Sequence, residues 1–243
     1  MKKESLLKHL RHTDLWLLLC AVLLLFVLIV HELCGRFRFE ALMRTLLLLI
    51  NCMLFYLGGI LYCKRTGSNR FMKHLFGIFF LLYLYLILSL TLLDPSLGRG
   101  AGSVYDQIGG KRELYLQYFV NLVPFHSIYT VYIKGFLSGY VNVYYTLLNL
   151  AGNICAFMPL AFFLPYFFRA QKKWYCFFPT VLLFTVAVEL LQFTLMVGSC
   201  DIDDLLLNAG GSFLFYLLLK CPPLQKLLKI LTFETEGRLE HLD

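Results

Sequence analysis

Polar groups that could do chemistry are concentrated in one stretch of this chain. Between Glu189 and Gly211 the sequence reads ELLQFTLMVGSCDIDDLLLNAGG. Glu189, Gln192, Asp201, Asp203, Asp204 and Asn208 stand there among residues apolar enough for lipid. Polar side chains in or beside hydrocarbon are costly and need partners. Carboxylates so close in sequence repel one another, and a cation, a basic ligand or a shared proton would relieve that repulsion. Asp201 and Asp203 also have a structural explanation, because acids at a helix N-terminus cap free amides and complement the dipole.

Spacing brings further groups toward this stretch. At 100° per residue, Asn149, Gly152, Asn153 and Ala156 form one small, polar stripe. Thr185, Glu189 and Gln192 form a second stripe, and Asp204, Asn208 and Gly211 a third. Glycines at Gly152, Gly210 and Gly211 are expected to let these helices pack closely. Pro159 should free a backbone carbonyl within the first of them.

The elements that must position these groups are membrane spans. The 243-residue chain is 59% hydrophobic, against about 45–50% for a soluble domain. Crossing a bilayer core of about 30 Å takes roughly 20 apolar residues. Six runs qualify, at about 15–33, 42–62, 74–93, 146–168, 175–197 and 204–220. The expected fold class is therefore an all-α membrane protein of about six transmembrane helices. The first run lacks small residues at signal-cleavage positions, so it reads as an uncleaved span.

The formal charge of +7 does not point to nucleic acid, because the basic residues sit in short groups between apolar runs and no nucleic-acid-binding motif is present. Those groups are Lys2, Lys3, Lys8 and Arg11; Lys64, Arg65, Arg70 and Lys73; Arg169, Lys172 and Lys173; and Lys220, Lys226, Lys229 and Arg238. They fall on one side of a six-span topology, which should be the cytoplasm. Both termini are then cytoplasmic, and the polar stripes lie in the outer half of the bilayer. Glu189 would sit roughly 12 Å deep at 1.5 Å per residue, as a protonated acid bonded to an Asn or as a carboxylate with a partner.

The long outer loop from Asp94 to Asn142 begins with a turn-forming segment, Asp94 to Ser103. Its second part, Leu114 to Ile128, is too polar to span and too apolar to float. It should be interfacial or re-entrant, beneath a belt of tyrosines. Residues 1–84 read as scaffold, in which Asn51 bonds a neighbouring helix and Gly58-Gly59 permit close packing. After Cys221-Pro222-Pro223, Leu224, Leu227, Leu228 and Leu231 recur beside Lys226 and Lys229, an amphipathic helix for the inner leaflet. This tail, 221–243, should end in disorder from about Glu234.

The eight cysteines are scattered singly and show no metal spacing. A disulfide between Cys34 and Cys200 is compatible with the topology. No cofactor is implied, and no G-x-S-x-G, H-E-x-x-H or P-loop is present.

Several of these pieces resemble the VanZ-like membrane proteins, named for a teicoplanin-resistance factor. They are Asn121-Leu122-Val123-Pro124-Phe125 with Ile128, Asn149-Leu150-Ala151-Gly152-Asn153 running into Phe157-Met158-Pro159-Leu160, Glu189-x-x-Gln192, and Asp201-Ile202-Asp203-Asp204 through Gly211. The resemblance covers about residues 85–220, with Ala161 standing where a glycine is expected. It adds Asn121, Pro124 and Phe125 to the functional polar cluster. It implies a multi-pass protein of the bacterial plasma membrane, with membrane lipids as partners. Some members are linked to resistance against lipid-bearing glycopeptides.

The leading functional expectation is a non-enzymatic factor with an outward-facing site for a lipoglycopeptide or an envelope lipid. The alternative is an intramembrane enzyme acting on a lipid-linked envelope intermediate. There the acids would hold a divalent cation or do acid–base work, and His126 would shuttle a proton. An ion-coupled carrier fits less well without an inverted repeat. The plainest reading is that these polar residues only hold helices together.

Overall fold

A computed structural model describes residues 13–34, 41–93, 108–139 and 142–233. The turn-forming segment expected from Asp94 to Ser103, the basic N-terminus and the tail from Glu234 lie outside these residues. The described chain is all-α apart from one two-residue bridge. Its long helices are α1 (Thr13–Cys34), α2 (Ala41–Thr66) and α3 (Arg70–Leu88), which runs on as a π turn over Ser89–Leu93. The short α4 (Arg112–Tyr118) leads into β1 (Val120–Asn121) and a π-helical segment, Ile128–Gly135. Then come α5 (Val143–Ala156), α6 (Leu160–Phe167), α7 (Trp174–Leu195), β2 (Cys200–Asp201), α8 (Ile202–Leu219) and α9 (Pro222–Leu231).

Six helical stretches are long and apolar enough to cross a membrane: Thr13–His31, Leu42–Thr66, Arg70–Leu93, Thr146–Phe167, Trp174–Leu195 and Ile202–Leu219. All six expected spans are present. The faces of these helices expose large apolar side chains, such as Leu183 at 69% and Leu214 at 67%. Such surfaces belong in lipid rather than water.

The chain forms two compact units, residues 1–82 with 225–243 and residues 83–224. In the first, buried Asn51 donates to the Ala21 carbonyl at 2.7 Å. A Cβ added at Gly58 would lie 2.9 Å from Leu18, and one at Gly59 2.9 Å from Leu75, so both glycines mark close packing. Arg65 bridges to Asp14, which is 1% exposed, at 2.8 Å.

In the second unit the core is aromatic. Phe177 and Tyr216 stack with centroids 4.2 Å apart, Phe157 meets Phe184 edge-on at 5.8 Å, and Tyr115 and Val181 are also buried. The fourth span is divided at Phe157–Pro159, where α5 stops and α6 begins. Pro159 has no N–H to continue the ladder. Hydroxyls from other helices bond carbonyls at the break: Tyr83 donates to Ala156 at 2.9 Å, and Ser212 donates at 3.0 Å to Phe157, which also accepts the Leu160 amide. A broken span is tolerable in lipid when neighbouring helices satisfy the freed groups in this way.

Close packing around the break depends on one glycine. A Cβ added at Gly211 would lie 2.2 Å from the Ile154 carbonyl oxygen, so α8 meets the backbone of α5 there. Gly152 and Gly210 face open space, contrary to expectation. A glycine on a polar stripe does not fix which side of the helix its neighbour occupies.

Candidate functional site

The polar residues meet at the end of the second unit where α5 starts, α7 ends and α8 starts. α7 stops at Met196, which takes a left-handed conformation while the Val197 amide bonds the Gln192 carbonyl at 3.0 Å. The chain turns back through β2, which pairs in parallel with β1: Val120 opposite Cys200 and Asn121 opposite Asp201. The Cys200 amide extends this pairing to the Phe119 carbonyl at 2.8 Å. Residues 80 apart in sequence are thereby held side by side.

Asp201 caps α8 by accepting the Asp203 amide at 2.9 Å. The same carboxylate accepts the Asn121 amide at 2.9 Å and the Ser127 hydroxyl. Asn121 in turn accepts the Val123 amide at 3.0 Å, closing a turn of the kind Asn side chains favour.

Asp203 is fully buried. Its Oδ1 accepts the Phe125 amide at 2.5 Å and its Oδ2 the Ile128 amide at 3.0 Å. Charged acceptors make stronger hydrogen bonds than neutral ones, which offsets part of the cost of burying the carboxylate. Phe125 has φ 64°, unusual for a residue with a side chain, and the residue is 65% exposed. Asp203 thus holds the loop in a strained turn that presents Leu122, Val123 and Phe125 outward from the protein. Pro124 and His126 are exposed at the same tip.

Asp204 points the other way around α8 and accepts the Asn153 amide from α5. One turn before Asn153, Asn149 donates to the Tyr132 hydroxyl at 3.1 Å. Burial, then the Asp204 and Asp201 carboxylates, push the Tyr132 phenol up to about 12. Burial likewise raises the Cys200 thiol to about 11, with help from Glu189, Asp201 and Asp204. A negative field therefore reaches from α7 and α8 to the loop.

The eleven expected site residues thus separate by role. Asn121, Pro124, Phe125, Asp201 and Asp203 form the latched loop and its anchor. Asn149, Asn153, Asp204 and Asn208 line the α5–α8 side. Glu189 is buried on α7, within electrostatic reach of Cys200. Gln192 is engaged elsewhere: its amide donates to the Thr91 carbonyl in the π turn after α3 at 2.9 Å, and its own carbonyl faces the Tyr115 hydroxyl at 3.5 Å.

Ser127 and Tyr132 belong to the site and were not singled out by the sequence. Ser127 stands in the run that carries Pro124 and Phe125, and Tyr132 sits among the loop tyrosines, so composition marks the segment but not the two hydroxyls. Among the described residues, no three His, Cys, Asp or Glu side chains converge closely enough to hold a metal ion. Cys200 is a free thiol, and the Cys34 side chain lies outside the described residues.

The family model for VanZ/LLP1 matches residues 79–226, more than half of the chain and every element of the site just described. No curated protein and no solved structure matches the chain.

Proposed function

The chain belongs to the VanZ/LLP1 family, and we propose from that premise that it is a non-enzymatic factor of the bacterial plasma membrane. Its latched loop faces outward, both termini are cytoplasmic, and the site engages a lipid-bearing glycopeptide of the teicoplanin type or a lipid-linked envelope precursor. The observation that carries this reading is the Asp203 latch. Its carboxylate fixes an exposed apolar tip of Leu122, Val123 and Phe125, while the next residue of α8, Asp204, accepts the Asn153 amide. An acylated polar molecule offers the complementary combination: a chain or ring for the tip and hydrogen-bonding groups for the pair.

Expression in a glycopeptide-sensitive host tests this. Tolerance should rise more for acylated than for non-acylated glycopeptides. Glu189→Gln and Asp204→Asn should remove the gain while leaving membrane abundance near normal. Equal tolerance to both drug classes, or none, overturns the antibiotic-directed reading. Loss of abundance in both variants would mean that the polar residues serve only to hold the helices.

A further inference from the structure

One buried group at this end of the unit has no hydrogen-bond partner. Asn208 is 7% exposed, and its Oδ1 is buried without a donor. Such a group costs stability unless a donor arrives from outside the protein. Asn208 lies one turn beyond Asp204 on the same face of α8. Gly211, three residues further, identifies that face as the one meeting α5, because a Cβ added there would lie 2.2 Å from the Ile154 carbonyl oxygen. The Asn208 carbonyl is therefore directed between α8 and α5, one turn deeper than the Asn153–Asp204 pair. Asp204 itself is only partly buried, so this side of the helix can be reached.

The chemistry of the walls limits what could enter. Asn208 offers an acceptor and Asp204 a carboxylate, and the upward shifts of Tyr132 and Cys200 report a field hostile to anions. No metal-binding set of side chains converges among the described residues. A primary ammonium group carries charge and three donors with no acceptor, so it can satisfy both groups at once. A quaternary ammonium carries the charge without a donor, and an alcohol the donor without the charge.

We propose that Asp204 and Asn208 form a subsite for the primary ammonium group of an acyl-chain-bearing amine. The acyl part rests on the reading in the preceding subsection, whereas the ammonium part rests on Asp204 and Asn208 alone.

The full chain in phosphatidylcholine nanodiscs, which contain no primary amine, can be titrated calorimetrically with decylamine, decyltrimethylammonium and decanol. Decylamine should bind saturably at pH 7, roughly tenfold tighter than either of the others, as one charged hydrogen bond implies. Asn208→Leu should weaken decylamine about tenfold and leave decyltrimethylammonium unchanged. Asp204→Asn should weaken both cationic probes. The near-isosteric Asn208→Asp keeps an acceptor and should retain decylamine selectivity, which covers the case in which Asn208→Leu fails to fold. Equal binding of the three probes, or selectivity lost in Asn208→Asp, overturns the proposal. Amine selectivity without glycopeptide tolerance in the host would leave this inference standing and remove the antibiotic-directed one. Tolerance without amine selectivity would do the reverse.

Discussion

Asp203 shows how one side chain can decide the form of a distant loop. Its two oxygens take two amides that no helix or strand satisfies, 78 and 75 residues back along the chain. Asp203→Ala should leave both donors without an acceptor, at about 1–3 kcal/mol each. The loss should be local first, with amide hydrogen exchange at Phe125 and Ile128 accelerating well before exchange in α8. Unchanged protection at those two amides would contradict the latch. A second residue-scale expectation concerns Cys200, whose thiol is raised to about 11 by burial and by Glu189, Asp201 and Asp204. Raising an acid's pKa lowers its thiolate fraction at a given pH, so a variant keeping Cys200 as its only cysteine should alkylate slowly below about pH 10. Removing negative charge with Asp204→Asn should lower that pKa and speed alkylation; an unchanged or slower rate would count against the field.

At the scale of elements, the α5–α8 contact is the most constrained. An alanine methyl at 211 would lie 2.2 Å from a backbone oxygen that cannot rotate away. Gly211→Ala should therefore force the helices apart and lower the thermal midpoint in detergent, at a cost of about 3 kcal/mol or more. Gly210→Ala and Gly152→Ala meet open space. They should be neutral or slightly stabilising, since Ala exceeds Gly in helix propensity by about 1 kcal/mol. Comparable damage from all three substitutions would show that packing, rather than this single approach, governs the pair. The break after α5 has the same character. Tyr83 and Ser212 bond the Ala156 and Phe157 carbonyls at the break, so Ser212→Ala should destabilise the second unit more than the exposed Ser138→Ala does.

At the scale of the whole molecule, the distribution of charge bears on orientation. By the positive-inside rule, the basic groups beside the spans predict the latched loop outside and α9 inside. Cysteines introduced at Leu122 and at Lys226, each in a cysteine-free background, can be probed with a membrane-impermeant maleimide. The Leu122 position should label in intact cells and the Lys226 position only after permeabilisation. The opposite pattern would invert the topology and place the site in the cytoplasmic leaflet.

What the sequence determined by itself follows from the bilayer as solvent. A hydrocarbon core demands long apolar runs with internally satisfied backbones, so Leu-rich stretches such as Thr13–His31 declare themselves as spans without reference to the rest of the chain. Period 3.6 placed Asn153 on a stripe and Asp204 on another, and both lie where α5 meets α8. Asp201 was also legible as a cap, because capping is local. Tertiary structure decided the rest. Only the parallel bridge of Asn121 to Asp201 reveals that the acids beside α8 serve a loop some 80 residues away. Only packing separates Gly211 from Gly210 and Gly152, and only the turn beyond α3 draws Gln192 toward Thr91. Periodicity gives the face a residue occupies on its own helix. Which neighbour stands against that face depends on contacts between segments far apart in the chain, and a single sequence carries no local signal of them.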